Sequence, residues 1–195
     1  MIKSQQIQNT GNIFKDLPVV ETPRLLLRSL TMRDVNDVFE YASMPEVSKH
    51  VTWDYHRNIG DSMAFVKSIL QQYEQGKPSP WGIVYKSQNI LIGTGGFHNL
   101  HSEYRKAEVG YAISAKFWNL GLMTEALNAM LHFGFDVLHL NRVEALCKVK
   151  NTASEKVMQK CNMKFEGILR EHMFVKEEFH DLKIYSILKS EFDAE

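Results

Sequence analysis

A strand that leads through a short loop into a long helix is the part of this chain best suited to chemistry. Residues 108–127 read as a strand up to Ser114 and become helical after Gly121. Backbone N–H groups at a helix start lack intrahelical partners, and the helix dipole places positive charge behind them. The junction therefore predicts an anion site built from main chain, which a glycine lets an anion approach closely. An ordinary strand-to-helix turn is the alternative.

A second helix start follows about thirty residues later, at residues 151–154 with the sequence Asn-Thr-Ala-Ser. Asn151 fits the position that caps a helix, because its side-chain oxygen can accept from free N–H groups. Capping does not account for Ser154, one turn into the helix. This second helix could face the same site as the first motif.

The elements that must position these motifs follow from the spacing of apolar residues. Alternation predicts strands, and recurrence at three and four residues predicts helices. The predicted strands are 24–28, 81–85, 90–97, 106–114, 142–149, 165–175 and 182–188, and the predicted helices are 31–42, 61–73, 121–138 and 152–160. The order β-α-α-β-β-β-α-β-α-β-β predicts a single α+β domain over residues 21–195 with a mixed sheet. Residues 1–20 are polar and unpatterned, which predicts a flexible leader or arm.

Composition excludes several classes of function. Lys plus Arg and Asp plus Glu each number 23, so no overall charge favours nucleic acid or an anionic membrane. No apolar run approaches the ~20 residues of a membrane span, and no apolar signal core is visible near the start of the chain. Cys147 and Cys161 do not form a spaced framework, so reduced thiols and a cytoplasmic location are expected.

Five short runs in order make the chain resemble the GNAT family of acetyl-CoA-dependent N-acetyltransferases. Its Rim-type branch, first known from the N-termini of ribosomal proteins, is the most similar. The runs are residues 21–28, 107–111, 118–126, 151–154 and 181–185. The resemblance implies a GNAT-like single domain with a mixed, mostly antiparallel twisted sheet flanked by helices. It also implies acetyl-CoA (coenzyme A) as co-substrate, an amine acceptor as partner, and a monomer or homodimer.

Site residues carry over from the resemblance by position. Backbone amides of Leu120, Gly121, Met123 and Thr124 would hold the coenzyme A pyrophosphate. The backbone of Ala112 and Ile113 would pair with the pantetheine arm, Asn151 would contact that arm from the other side, and Ser154 would lie near the thioester sulfur. Two positions depart from the branch, which usually has Arg or Lys at the position of Leu120 and a small residue at that of Met123.

Direct transfer to an amine needs a proton acceptor, since a free α-amino group has a pKa of ~8 and a lysine ~10.4. Ser154 is the candidate general acid. The carboxylate expected from the Rim-type branch matches Met173 in this sequence, so Glu108 and Glu171 are the substitute bases, although each could be an ordinary solvated or paired carboxylate. The resemblance favours a protein or peptide N-terminus as acceptor. A small-molecule amine, or a non-catalytic acyl-CoA-binding domain, is the alternative.

Other patterns carry weaker predictions. Residues 92–96 contain closely spaced glycines, but no apolar-periodic helix follows, so a dinucleotide loop is disfavoured. His98 and His101 lack a third ligand at convincing spacing, and no metal is expected. The segment with Trp53, Tyr55 and His56 could line the acceptor site or simply pack.

Overall fold

A single mixed sheet organises the chain. The computed structural model describes residues 10–194, with side chains from residue 13 onward. Within that range the sheet has 8 strands in the order β1-β2-β3-β4-β5-β6-β8-β7. The strands are β1 Val20–Glu21, β2 Leu25–Arg28, β3 Trp81–Tyr85, β4 Ile90–His101, β5 Lys106–Ile113, β6 Arg142–Lys148, β7 Lys164–Val175 and β8 Glu178–Leu188. All neighbours are antiparallel except β5 and β6, which are parallel. The predicted α+β class is confirmed.

Helices cover both faces of the sheet. They are α1 Thr10–Lys15, α2 Val35–Ala42, α3 Pro45–Ser48, α4 Ile59–Glu74, α5 Leu122–His132, α6 Thr152–Lys160 and α7 Lys189–Phe192. Adjacent residues of β4 point to opposite faces, as a strand requires. The Thr94 hydroxyl lies 3.2 Å from that of Tyr41 on α2, whereas Gly95 faces Met130 on α5. None of the described helices is long and apolar enough to cross a membrane.

Two element predictions differ from the structure. From residue 10 the predicted leader is part of the domain: Phe14 and Leu17 are buried, and the Pro18 carbonyl accepts a 2.8 Å hydrogen bond from the Trp81 indole. Polar composition hid this, because two buried side chains, one on α1 and one just after it, suffice to anchor the segment. Residues 1–9 lie outside the described range. The long helix is α-helical only to His132 and continues as a π-helical turn, Phe133–Val137.

A gap opens in the sheet between β5 and β6. The two strands pair only where residues 106–108 meet residues 142–144, and both strands then continue without pairing to each other. The Ser114 N–H donates to the Ile92 carbonyl at 2.8 Å. Since antiparallel residues alternate in bonding direction, Ala112 directs its backbone toward β4, whereas Tyr111 and Ile113 direct theirs into the gap. At its centre the sheet therefore has main-chain groups that no neighbouring strand of the described chain pairs with.

The candidate active site

The start of α5 presents backbone amides that nothing in the described chain occupies. Gly121, the N-cap, has a left-handed φ of 74° and supplies no side-chain cap. The first hydrogen bond of the helix runs from the Glu125 N–H to the Gly121 carbonyl, at 3.1 Å. The amides of residues 122–124 precede it and have no backbone partner within residues 10–194. Left-handed backbone favours glycine because other residues clash through Cβ.

These amides border a cavity of about 480 Å³, called the loop cavity below. Its lining includes Gly121, Met123 and Thr124 but not Leu120, whose side chain is exposed. The Met123 side chain is 7% exposed and packs in the hydrophobic core. Four ammonium-bearing side chains also line the cavity: Lys49, Lys150, Lys156 and Lys160. Free amides, a helix N-terminus and lysines together fit a phosphate-bearing group.

An ion pair behind the loop holds its shape. Arg24 donates through Nη1 to the Leu120 carbonyl at 2.9 Å and through Nε to Glu125 at 2.6 Å. Glu125 also accepts from the Thr22 hydroxyl, at 2.6 Å. Burial raises the pKa of Glu125, but these hydrogen bonds outweigh it and leave the pKa below its usual range. The acid of the first helical turn therefore binds Arg24, an anchor that the sequence analysis missed because the partners lie about a hundred residues apart.

The gap between β5 and β6 joins the loop cavity to a second one. Ala112 lines both cavities, although its backbone points toward β4. The Ile113 carbonyl accepts from the Trp118 indole at 3.0 Å. The prediction that Ala112 and Ile113 both offer backbone to a ligand is therefore corrected: Tyr111 and the Ile113 N–H face the gap.

Tyr111 and Ser154 meet across this gap. Their hydroxyl oxygens lie 3.1 Å apart, one from β5 and one from α6. Asn151 caps α6 as predicted, its Oδ1 accepting from the Ser154 N–H at 3.2 Å. Burial raises the pKa of Tyr111 above its usual value, so its phenol stays a proton donor. The sequence predicted site roles for Ser154 and Asn151 but did not single out Tyr111.

The second cavity, called the inner cavity, has a volume of about 300 Å³ and shares Tyr111, Asn151 and Ser154 with the loop cavity. One wall is aromatic and carries Trp53, His56 and Phe65. Other lining residues include His50, His98, Glu108, Lys148 and Met173. Trp53 and His56 thus line a cavity, as one of the two expectations held, whereas Tyr55 does not.

Of the two carboxylates predicted as bases, the structure brings only Glu108 to the inner cavity. Glu108 accepts from His98 Nε2 at 3.0 Å and from Asn99 Nδ2 at 2.9 Å. Burial raises the pKa of Glu108, but the His98 and Asn99 hydrogen bonds outweigh it and lower the pKa overall. Glu171 is exposed, lies at an irregularity of β7 with φ of 48°, and does not line the cavity, whereas Met173 does. Glu171 is therefore corrected: the bulge turns it away from the site.

The weaker candidates lie elsewhere. Residues 92–96 are internal to β4, where the glycines let neighbouring chain pack closely, so they form no phosphate loop. Cys147 and Cys161 are buried and form no disulfide. Burial raises the pKa of Cys147 to about 11, which makes it a poor nucleophile.

Comparisons with known proteins agree with this geometry. Residues 24–164 match the model of the acetyltransferase (GNAT) domain. The chain is 32% identical over 172 residues to an uncharacterized N-acetyltransferase, YoaA, of Bacillus subtilis (strain 168), covering 88% of this chain and 97% of the relative. It is 27% identical over 148 residues to the ribosomal-protein-serine acetyltransferase of Escherichia coli (strain K12), covering 72% of this chain and 82% of the relative.

Solved structures give the same result. The crystal structure of a GNAT-family acetyltransferase from Bacillus anthracis superposes with a TM-score of 0.79 at 30% identity, covering 89% of this chain and 100% of that one. Free amides at the start of α5, the gap beside β5 and the residues facing it therefore have a common explanation. The chain belongs to the GNAT family and is an acetyl-CoA-dependent N-acetyltransferase.

Proposed function

We propose that this enzyme acetylates the amino terminus of a protein or peptide by direct transfer from acetyl-CoA. The observation that carries the proposal is the inner cavity, which is open to solvent and meets the loop cavity at Tyr111 and Ser154. An open cavity of about 300 Å³ suits the first residue of a chain whose remainder stays outside. The ribosomal-protein-serine acetyltransferase of Escherichia coli, as a relative, supports the same acceptor class.

The donor would bind along the loop cavity. In this proposal the amides of residues 122–124 hold the pyrophosphate, and the surrounding lysines neutralise its charge. The main chain of Tyr111 and Ile113 pairs with the pantetheine arm in the gap, with the Nδ2 of Asn151 on the other side. Leu120 contributes through its carbonyl, which Arg24 fixes, and not through a cation of its own.

Ser154 and Tyr111 would complete the proton transfer. Cleavage of a thioester by an amine leaves a thiolate, which a hydroxyl near the gap can protonate. The 3.1 Å contact between the two hydroxyl oxygens lets a proton given up by Ser154 be replaced from Tyr111. Ser154 thereby acts as general acid, with Tyr111 as its donor.

One observation favours a second acceptor class, a small amine that also carries an anion. Lys148 lines the inner cavity, is 8% exposed, and has only His180 Nε2, at 3.1 Å, as a hydrogen-bond partner among the described residues. A buried ammonium with donors to spare favours a carboxylate or phosphate on the bound molecule. A free amino acid would satisfy it, whereas a peptide N-terminus need not.

A matched acceptor panel tests the proposal. Release of coenzyme A would be measured with short peptides that begin with Ser, Ala or Met, with the same peptides blocked at the N-terminus but carrying a lysine, and with free amino acids and polyamines. We expect turnover with the free peptides and acetyl groups on the α-amine by mass spectrometry. Turnover confined to free amino acids, and lost in Lys148→Met, would replace the peptide with the anionic small amine. Turnover confined to blocked peptides would contradict both.

A further inference from the structure

The proposed reaction needs a proton acceptor, and the two predicted carboxylates do not supply a suitable one. Glu171 lies outside the cavity, and Met173 stands where the Rim-type resemblance places a carboxylate. Glu108 lines the cavity, but each of its oxygens already accepts a hydrogen bond, from His98 and from Asn99. A carboxylate that accepts two hydrogen bonds is a weaker base, because those bonds stabilise its charged form against protonation. The acceptor must therefore be another group.

His98 has the geometry of that group. It follows Phe97 on β4 and is paired with Glu108 on β5. Its Nε2 meets Glu108 at 3.0 Å, so the other nitrogen, Nδ1, faces away from the carboxylate. A Cβ on Gly110 would lie 2.9 Å from Cε1 of His98, 3.5 Å from Nδ1 and 4.0 Å from Nε2. The Cε1–Nδ1 edge therefore lies over Gly110, where β5 begins to separate from β6, and Nδ1 has no hydrogen-bond partner in the described chain.

We propose that His98 is the general base of the acetyl transfer and that Glu108 positions it, an inference that rests on the proposed function. Glu108 accepts from the Nε2–H and so leaves the lone pair on Nδ1, the arrangement by which a carboxylate holds a catalytic imidazole. Nδ1 takes one proton from the incoming ammonium. The freed amine attacks the thioester carbonyl, a C–N bond forms and the C–S bond breaks. The hydroxyl pair delivers a proton to the departing thiolate, the second amine proton passes through water to the hydroxyl pair and restores it, and His98 releases its own proton to water.

The charges around His98 agree with this role. Glu108 from β5 is the only acid among the residues lining the inner cavity. His172 on β7 acts on the same carboxylate from outside the cavity, and Tyr111 on β5 stays neutral. Lys148 also lines the cavity, and its positive charge opposes a second cation there. The imidazolium formed on His98 is therefore stabilised by one contact, and that contact is Glu108.

The other histidines of the cavity do not compete. His56 Nδ1 lies 2.8 Å from the Ser62 hydroxyl and has no carboxylate within hydrogen-bond distance among the described residues. Burial lowers the pKa of His56 and, with nearby lysines, that of His50, which weakens both as bases. Of the described histidines that line the inner cavity, only His98 combines a carboxylate partner with a free nitrogen.

Kinetics of His98→Gln, His98→Ala and the control His101→Gln test the inference with whichever amine the wild type uses. His101 lies on the same strand, is exposed and does not line the cavity. We expect His98→Gln to lose roughly 10²–10⁴-fold in kcat near pH 7, a typical contribution of a general base. The loss should shrink at pH 9.5 and with acceptors of low pKa, because the amine is then already neutral. Added imidazole should partly restore His98→Ala, and His101→Gln should match the wild type.

A measurement without substrates checks the arrangement itself. Proton–nitrogen NMR of the imidazoles should show that neutral His98 carries its proton on Nε2 and has a bare Nδ1 at pH 8. Both features should vanish in Glu108→Ala, with acetyl-CoA affinity retained.

The outcomes separate the two proposals. Turnover by the wild type with an unchanged pH profile in His98→Gln, or with no rescue by imidazole, overturns the role of His98 alone. A wild type that releases no coenzyme A with any amine overturns the proposed function and the base with it.

Discussion

Replacing Gly121 with alanine tests the cradle through its backbone alone. At φ of 74° an L-residue costs about 1–2 kcal/mol relative to its ordinary conformation. An added Cβ would meet only the Arg24 Nη2, at 3.6 Å, which is an ordinary contact. The whole free-energy cost of Gly121→Ala is therefore conformational, and it must lower either the stability of the free protein or its affinity for acetyl-CoA.

If the free protein keeps the left-handed loop, it carries the strain and unfolds more easily. About 1 kcal/mol corresponds to a fall in Tm of roughly 2–4 °C for a domain of this size, with acetyl-CoA affinity unchanged. If the free loop relaxes instead, the amides of residues 122–124 turn away, and binding must restore them. The same 1–2 kcal/mol then weakens acetyl-CoA roughly 5–30-fold, with Tm nearly unchanged.

Thermal unfolding measures the change in Tm, and calorimetric titration with acetyl-CoA measures the change in affinity on the same samples. Gly167→Ala is the matched control, because no atom lies within 4 Å of its added Cβ and its backbone is not left-handed. We expect that control to keep both Tm and affinity. The reasoning is refuted if Gly121→Ala also keeps the wild-type Tm and acetyl-CoA affinity, since the backbone strain would then affect neither quantity.

Two further predictions follow from hydroxyl and charge contacts. Ser154→Ala should lower kcat roughly 10²-fold or more with little change in acetyl-CoA affinity. The losses in kcat from Tyr111→Phe and Ser154→Ala should not be additive in the double variant, because the two hydroxyls belong to one relay. Additive losses in steady-state kinetics would contradict the relay. Hydrogen bonds from Arg142 and, to a lesser extent, from Ser186 lower the pKa of Glu166 to about 2. The stability that the ionised carboxylate adds is therefore present above pH 4.5 and lost as the pH falls toward 2, so Glu166→Gln should lower Tm at pH 7. The prediction is contradicted if the Tm difference between variant and wild type does not narrow between pH 4.5 and pH 2.

Most of the fold could be predicted because its signals are local. Apolar alternation and helical spacing lie within one element, and Asn151 caps a helix from three residues away, so these predictions agree with the structure. The missed segment, α1 and the residues just after it, is anchored by two buried apolar side chains, which are too few to show a period. The bulge at Glu171 depends on how β7 pairs with β8, which no local pattern in the sequence indicates.

The site was predicted less completely, because its contacts join distant segments. Arg24 reaches Leu120 across 96 residues, and Tyr111 reaches Ser154 across 43. Each contact depends on strand order and register, which follow from packing of the whole sheet. The resemblance predicted the loop and Ser154, but it did not predict Arg24, which contacts the loop, or Tyr111, which contacts Ser154.

The interrupted pairing of β5 with β6 connects fold to chemistry. A parallel pair that ran its full length would occupy the backbone of Tyr111 and Ile113 and close the passage between the two cavities. The pairing ends after Glu108 and Glu144, where Arg142 bridges Glu144 and Glu166 and secures the closed end. Glu108 is therefore the last residue of β5 that pairs with β6, and Gly110 is two residues into the gap. That position puts the Glu108–His98 pair beside the opening, with the Cε1–Nδ1 edge of His98 over Gly110.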